Sequence, residues 1–300
     1  MDNLTHSLIG AVLGQAGLKR RTGLAMPALI IGANIPDIDA TCVVFGTQSL
    51  AMRRGITHGP IAWVLLPLVL AGLLLAWDRW QGRGGTRPPG RLPVRFGWLY
   101  GLSLIGCLSH PVMDWMNNYG IRLLEPFSHD WFYGDVLFII DLWLWLILGG
   151  AVWLSLRREK KTGGNWQRPA RAAIALSLAY IGLNAGITYA AEQRALQRAP
   201  YPGIAVANEV PVMFWRRDVI TGNGDGFWQT PAGRLGDVPL AACNLAAASR
   251  GDPRVKAFLF WSRTPFVERS GQGWRVRDAR YVMRGSGSFT VELPQDSCRS

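Results

Sequence analysis

Residues Ile61-Ala62-Trp63-Val64-Leu65-Leu66-Pro67-Leu68-Val69-Leu70-Ala71-Gly72-Leu73-Leu74-Leu75-Ala76-Trp77 carry no charged side chain. A bilayer-crossing helix needs roughly 20 mostly apolar residues, with about 17 as the lower end. The stretch therefore reads as a membrane span, and the chain as an integral membrane protein. Working outward, residues 96–113 and 136–156 read as further spans, and the Ala-rich residues 172–191 as a weaker fourth. Residues 4–18 and 24–35 are shorter apolar runs joined by Lys19-Arg20-Arg21, and fit either oblique spans or a helical hairpin buried against the others. The whole chain agrees: 49% of its 300 residues are hydrophobic and only 17% charged, against about 25% charged in soluble domains.

The formal net charge is +12. A strongly basic chain can be a nucleic-acid binder, but here the basic residues flank apolar segments, where they set membrane orientation. One connection holds Lys19, Arg20 and Arg21, another five arginines from Arg79 to Arg95, and a third Arg157, Arg158, Lys160, Lys161, Arg168 and Arg171. The alternate connections hold Arg53 and Arg54, then Arg122 against Glu125, Asp130 and Asp135. Positive residues favour the cytoplasm, which places the N-terminus, the 40–58 and 117–135 connections and the C-terminal part outside. The opening Met1-Asp2-Asn3-Leu4 lacks the positive region of a cleaved signal peptide and is expected to be retained.

Beyond Arg194 the character changes. Val255–Trp261 and Trp274–Arg277 mix aromatic, β-branched and charged residues between Gly and Pro punctuation, and read as short strands. The predicted architecture is an α-helical polytopic membrane bundle (residues 1–193) followed by a small β-rich extracytoplasmic domain (194–300). On an oxidising side Cys243 and Cys298 can pair, the alternative being two free thiols. No Cys-x-x-Cys occurs, which argues against a thiolate zinc site.

Ionisable groups in or beside spans are costly and need a reason. They are His6, Asp37, Asp39, His58, His110, Asp114, Asp135 and Asp141, and the orientation above brings every one to the same, outward end. His110 and Asp114 are four apart, so on a helix they share a face and can hold one ion. Imidazole and carboxylate are ordinary zinc ligands, and several carboxylates also suit manganese or magnesium, singly or as a pair of ions. Three have plainer explanations: a helix start for His6, a turn for Asp37, head-group contact for His58; His110 with Asp114 is harder to dismiss, and Asp141, inside an apolar run, reads as a ligand or a group that orients a histidine. His129 reads as a solvated loop residue, the tryptophans at 143, 145 and 153 as interface anchors, and Gly222-x-Gly224-x-Gly226 as a turn.

Five motifs in order then carry a resemblance: Asp2-Asn3-Leu4-Thr5-His6, Pro36-Asp37-Ile38-Asp39, Arg53-Arg54-Gly55-Ile56-Thr57-His58, His110-Pro111-Val112-Met113-Asp114, and Gly134-Asp135 with Asp141-Leu142-Trp143. Over about residues 1–155 the chain resembles the membrane-bound, metal-dependent hydrolase family typified by YdjM, a LexA-regulated inner-membrane protein, with a distant similarity to zinc phospholipase C and P1-type nucleases. It departs at Gly59, where Ser is expected after Thr-His, and at Leu142, where Pro is expected. The resemblance implies a hydrolase of the bacterial inner membrane more firmly than any substrate.

The expectation is a divalent-metal hydrolase at the outer membrane–water interface, acting on a phosphoester or a lipid-linked substrate, with the bilayer and not nucleic acid as its partner. Zinc is the first choice of metal, bound by His6, Asp37, His58, His110 and Asp114. Asp39, Asp135 or Asp141 would orient ligands or act as general base. The alternatives are an ion-binding transporter, which would place its carboxylates near mid-membrane, and a scaffold whose polar cluster is structural.

Overall fold

Asp2 starts the first helix, its carboxylate accepting hydrogen bonds from the Leu4 (2.9 Å) and Thr5 (3.1 Å) amides, as an N-cap does. The chain is described by a computed structural model over residues 1–161, 163–199, 203–282 and 289–299. Helices α1 (Asn3–Gln15), α2 (Ala25–Gly32), α3 (Ser49–Met52), α4 (Pro60–Arg83), α5 (Phe96–Trp115), α6 (Leu142–Lys161) and α7 (Gln167–Arg198) come first. Strands β1 (Ile204–Glu209), β2 (Arg217–Gly222), β3 (Trp228–Thr230) and β4 (Gly233–Leu235) follow. Then come α8 (Leu245–Gly251), α9 (Pro253–Trp261), β5 (Pro265–Ser270), β6 (Gly273–Asp278), α10 (Ala279–Val282) and β7 (Thr290–Leu293). Contacts divide the chain into two units, Met1–Asp39 with Arg54–Leu183, and Ala40–Arg53 with Asn184–Ser300.

The N-terminal region is helical, and among the described residues three of its helical runs are long and apolar enough to cross a membrane: Ala25–Met52, Pro60–Arg83 and Gln167–Arg198. The last two contain the expected spans 61–77 and 172–191. Ala25–Met52 is not one regular helix. After α2 it continues as the 3-10 stretch Ile35–Gln48, broken at Gly46 with φ 57°. The expected span 96–113 is helix α5, whose apolar run is interrupted by the polar His110 and Asp114. The expected span 136–156 starts late. Helix begins only at Leu142, because Asp141 accepts the Leu144 amide (2.9 Å), while the Val136 and Leu137 amides are turned to the Met116 carbonyl. The 4–18 run becomes α1, whose 13 residues reach ~20 Å, short of the ~30 Å hydrocarbon core. It folds back on α2 as a hairpin and also packs on α6.

Small residues bring these helices close. A Cβ on Gly10 would lie 2.7 Å from the Leu29 carbonyl oxygen, one on Gly32 2.7 Å from that of Ser103, and one on Gly106 2.6 Å from that of Leu29. Without a hydrophobic drive between helices in lipid, such backbone approach is what membrane bundles use. Around it pack Ala25, Ala28, Leu29, Leu70, Ala71, Leu74, Leu99 and Leu102. Val64, Leu65, Val69 and Leu73 of α4 are more than half exposed, as a lipid-facing stripe would be.

The second unit holds a four-stranded antiparallel sheet in the order β1-β2-β3-β4 and a three-stranded one, β5-β6-β7. Val206, Ile220, Trp228, Phe266 and Ala279 form a core between elements of both. Trp274–Arg277 lies in β6 as expected, but Val255–Trp261 is helix α9, not a strand. The overlooked signal was Asp252-Pro253: Asp252 caps the Arg254 amide (2.8 Å) and Pro253 takes the first helical position. Buried Val255, Phe258 and Trp261 then recur every three residues. A disulfide joins Cys243 and Cys298.

Candidate metal centre

Three segments of the first unit bring four side chains to one point. Asp37 comes from the 3-10 stretch after α2, His58 from the 3-10 turn Ile56–His58 that precedes α4, and His110 and Asp114 from successive turns of α5. One ligand atom from each lies within 4.8 Å of all the others, and this group could hold a metal ion. His58 Nε2 is 3.1 Å from His110 Nε2, and each is 3.6 Å from Asp114 Oδ2. Asp37 Oδ1 lies 3.6 Å from His110 Nε2. Donors bound at about 2.0–2.1 Å to a tetrahedral ion sit ~3.3 Å apart, so these separations suit one ion.

The surroundings prepare both imidazoles. His110 Nδ1 lies 2.7 Å from the Ala33 carbonyl oxygen, which can only accept, so this nitrogen carries the proton and Nε2 the lone pair. His58 Nδ1 is 3.3 Å from Asp39 Oδ2, which likewise fixes its proton on Nδ1. Two lone pairs then face each other across 3.1 Å between fully buried rings, an arrangement that a shared cation relieves. Asp114 Oδ2 is buried 3.6 Å from both Nε2 atoms, with Arg54 Nε 2.9 Å away, and offers a third donor. Burial pushes the His58 imidazole down to about 4, against the upward pull of Asp39, so the ring is neutral at pH 7 and can ligate. The donors fit a divalent ion: two imidazole nitrogens and two carboxylates are ordinary ligands for one.

The pattern of the YdjM inner membrane protein matches residues 1–191. The chain belongs to this family. No curated protein and no solved structure matches it.

In this family member the remaining expected site residues take different places. His6 is stacked on His110 (centroids 3.8 Å apart) with Nε2 3.3 Å from Asp114 Oδ1, so it borders the group of four without joining it. Among the described residues neither of its buried ring nitrogens has a hydrogen-bond partner. Asp39 stands behind His58, its Oδ2 also accepting from the Arg54 amide (2.7 Å) and the Thr57 hydroxyl (2.8 Å). Asp135 is buried at φ 53°, where the chain returns to the end of α5. Asp141 caps α6 and accepts from the Tyr180 hydroxyl (3.0 Å). Neither belongs to the group of four.

Sequence reasoning passed over Arg54. Its Nε is 2.9 Å from Asp114 Oδ2, its Nη1 donates to Asn117 Oδ1 (2.9 Å) and the Gly120 carbonyl (3.2 Å), and it lies over the Tyr119 ring. The available signal was its place in the Arg53–His58 motif, four residues before His58. The Met1 amino group also contacts Asp114. Gly59, the departure from the expected Ser, is explained by packing: a Cβ there would sit 1.9 Å from the Glu125 carbonyl oxygen.

Proposed function

We propose that this protein is a divalent-metal-dependent hydrolase of the bacterial inner membrane, acting at the outer membrane–water interface on a phosphoester or lipid-linked substrate. The observation that carries the reading is the pair of imidazole lone pairs and the two carboxylates converging on one point. Asp37, His58, His110 and Asp114 would hold the ion, with zinc preferred for its nitrogen ligands and tetrahedral spacing. A bound divalent ion supplies Lewis acidity and lowers the pKa of water bound to it. Asp39 keeps His58 in the ligating tautomer, and its second oxygen, buried without a hydrogen-bond donor, can take a proton as general base. Arg54 offers the cationic charge that a developing phosphoryl oxyanion needs. His6 closes the site against His110. The placement at the outer interface rests on the basic connections, which favour the cytoplasm, and the lipid-linked substrate rests on that depth.

The test is metal content of the detergent-purified protein beside a His58→Ala/His110→Ala variant, followed by hydrolysis assays on phosphoester and lipid substrates. About one ion or more per chain, lost in the variant together with hydrolysis, is the expected result. No metal after reconstitution with zinc, manganese or magnesium would overturn the reading.

A further inference from the structure

The second unit carries a cavity of ≈ 930 Å³ between the end of α7 and the β2–β4 face. Its helix wall is Ala191, Arg194, Ala195 and Arg198, whose spacings of three and four place them on one face. Its sheet wall includes Thr221, Gln229 and Arg234. Thr221 pairs with Gln229 across β2 and β3, and Gln229 with Arg234 across β3 and β4, so the three form one row over three strands. In β3 the exposed Gln229 lies between buried Trp228 and Thr230, and side chains alternate faces along a strand. One face of the sheet thus closes the core and the other opens into the cavity.

The lining is cationic. Three arginines, Arg194, Arg198 and Arg234, stand against a single carboxylate, Asp225, whose Oδ1 already accepts the Phe227 amide (3.0 Å). Among the described residues neither Arg194 nor Arg198 has an ion-pair or hydrogen-bond partner. Arg234 lies over the Phe227 ring, Cζ 4.1 Å from its centroid; a stacked guanidinium keeps its in-plane N–H donors for an acceptor. Asp225 and the carbonyl end of α7 oppose an anion, but three guanidinium charges outnumber them. Two alanines on the helix wall leave room that longer side chains would fill.

We propose that this cavity binds a phosphate-bearing anion through Arg194, Arg198 and Arg234. The shared chemistry fits a lipid head group or a free phosphate, and the position of the arginines favours the lipid. Helix α7 is a candidate span of 32 residues, ~48 Å long, so its last turns project beyond the ~30 Å hydrocarbon core. Arg194 and Arg198 lie in those turns, at head-group depth. The inference does not depend on hydrolysis by the first unit.

The experiment titrates the full chain, in neutral detergent with a chelator to silence the metal centre, with dihexanoyl phosphatidate, inorganic phosphate and zwitterionic dihexanoyl phosphatidylcholine. Saturable one-to-one binding of phosphatidate is expected, weakened at least about tenfold in Arg194→Gln/Arg198→Gln and in Arg234→Gln, and absent for phosphatidylcholine. The charge-matched Arg250→Gln/Lys256→Gln variant, exposed and outside the cavity, should bind like the parent. Phosphatidate binding clearly tighter than phosphate assigns the site to lipid; equal binding assigns it to free phosphate. Equal loss in the control variant, no loss in the arginine variants, or no saturable binding would overturn the proposal. Unchanged thermal unfolding of the variants separates lost binding from lost fold.

Discussion

Arg54 adopts φ 53°, a left-handed conformation that costs a side-chain-bearing residue roughly 1–2 kcal/mol. Its amide is held by Asp39 and its carbonyl accepts the Arg122 amide, so the strained turn is fixed from both sides just before His58. Asp39 ties this turn to the imidazole. Replacing it with Asn should leave the fold intact but reduce metal affinity about 10–100-fold, measured by competition with a chromogenic chelator; unchanged affinity would remove Asp39 from the site. A second buried carboxylate works differently. Burial pulls Asp278 upward, but Arg280, Ser262 and Thr264 overcome it and hold the group down to about 2 from an ordinary 3.8. Folding therefore lowers this pKa, and the unfolded chain takes up the proton first as pH falls. Its stabilisation, on the order of 2 kcal/mol, is full at neutral pH and is lost between about pH 4 and pH 2. Asp278→Asn should flatten the acid limb of unfolding of the second unit, followed by tryptophan fluorescence; an unchanged limb would contradict the assignment.

Helix α5 is the element on which the candidate centre depends, because it carries two of the four candidate ligands and touches α2 through a residue without a side chain. Gly106 lies one turn before His110, and its missing Cβ is what admits the Leu29 carbonyl and the Ala33 amide nitrogen. Ala33 in turn fixes the tautomer of His110, so packing and chemistry share one contact. Gly106→Val should destabilise the bundle by about 1–3 kcal/mol, read by unfolding in mixed detergent. It should also lower metal content although no ligand is changed. Full metal occupancy would show that α5 tolerates displacement.

At the scale of the molecule, a helical region with three candidate spans is followed by a region of two small antiparallel sheets. The Cys243–Cys298 bridge closes a sequence separation of 55 residues, worth about 2–4 kcal/mol, and such a bridge persists in an oxidising compartment. An outward second unit, as the basic connections lead one to expect, would meet that condition. Cys243→Ser/Cys298→Ser should lower its thermal stability by that amount in the full chain, and mass-tag alkylation of the parent should show the two thiols blocked. Free thiols in protein taken from membranes would argue for a cytoplasmic second unit.

The sequence alone determined the membrane character, because uncharged apolar length is a local property, and it determined His110 and Asp114 as partners, because helix periodicity puts residues four apart together. It also supplied Asp37 and His58, through their motifs and their cost beside a span. Helix α9 was misread because mixed aromatic and β-branched residues suit either period, and the Asp252 cap decides which. Only the tertiary structure separated the roles of the carboxylates. Asp39 and Asp141 look alike as acids beside apolar runs. One is set behind His58 by the turn at Arg54, while the other is spent on the first turn of α6. Likewise only the close approach of α5 to α2 reveals why Ala33 and Gly106 matter. Those contacts join residues far apart in the chain, and no local pattern encodes them.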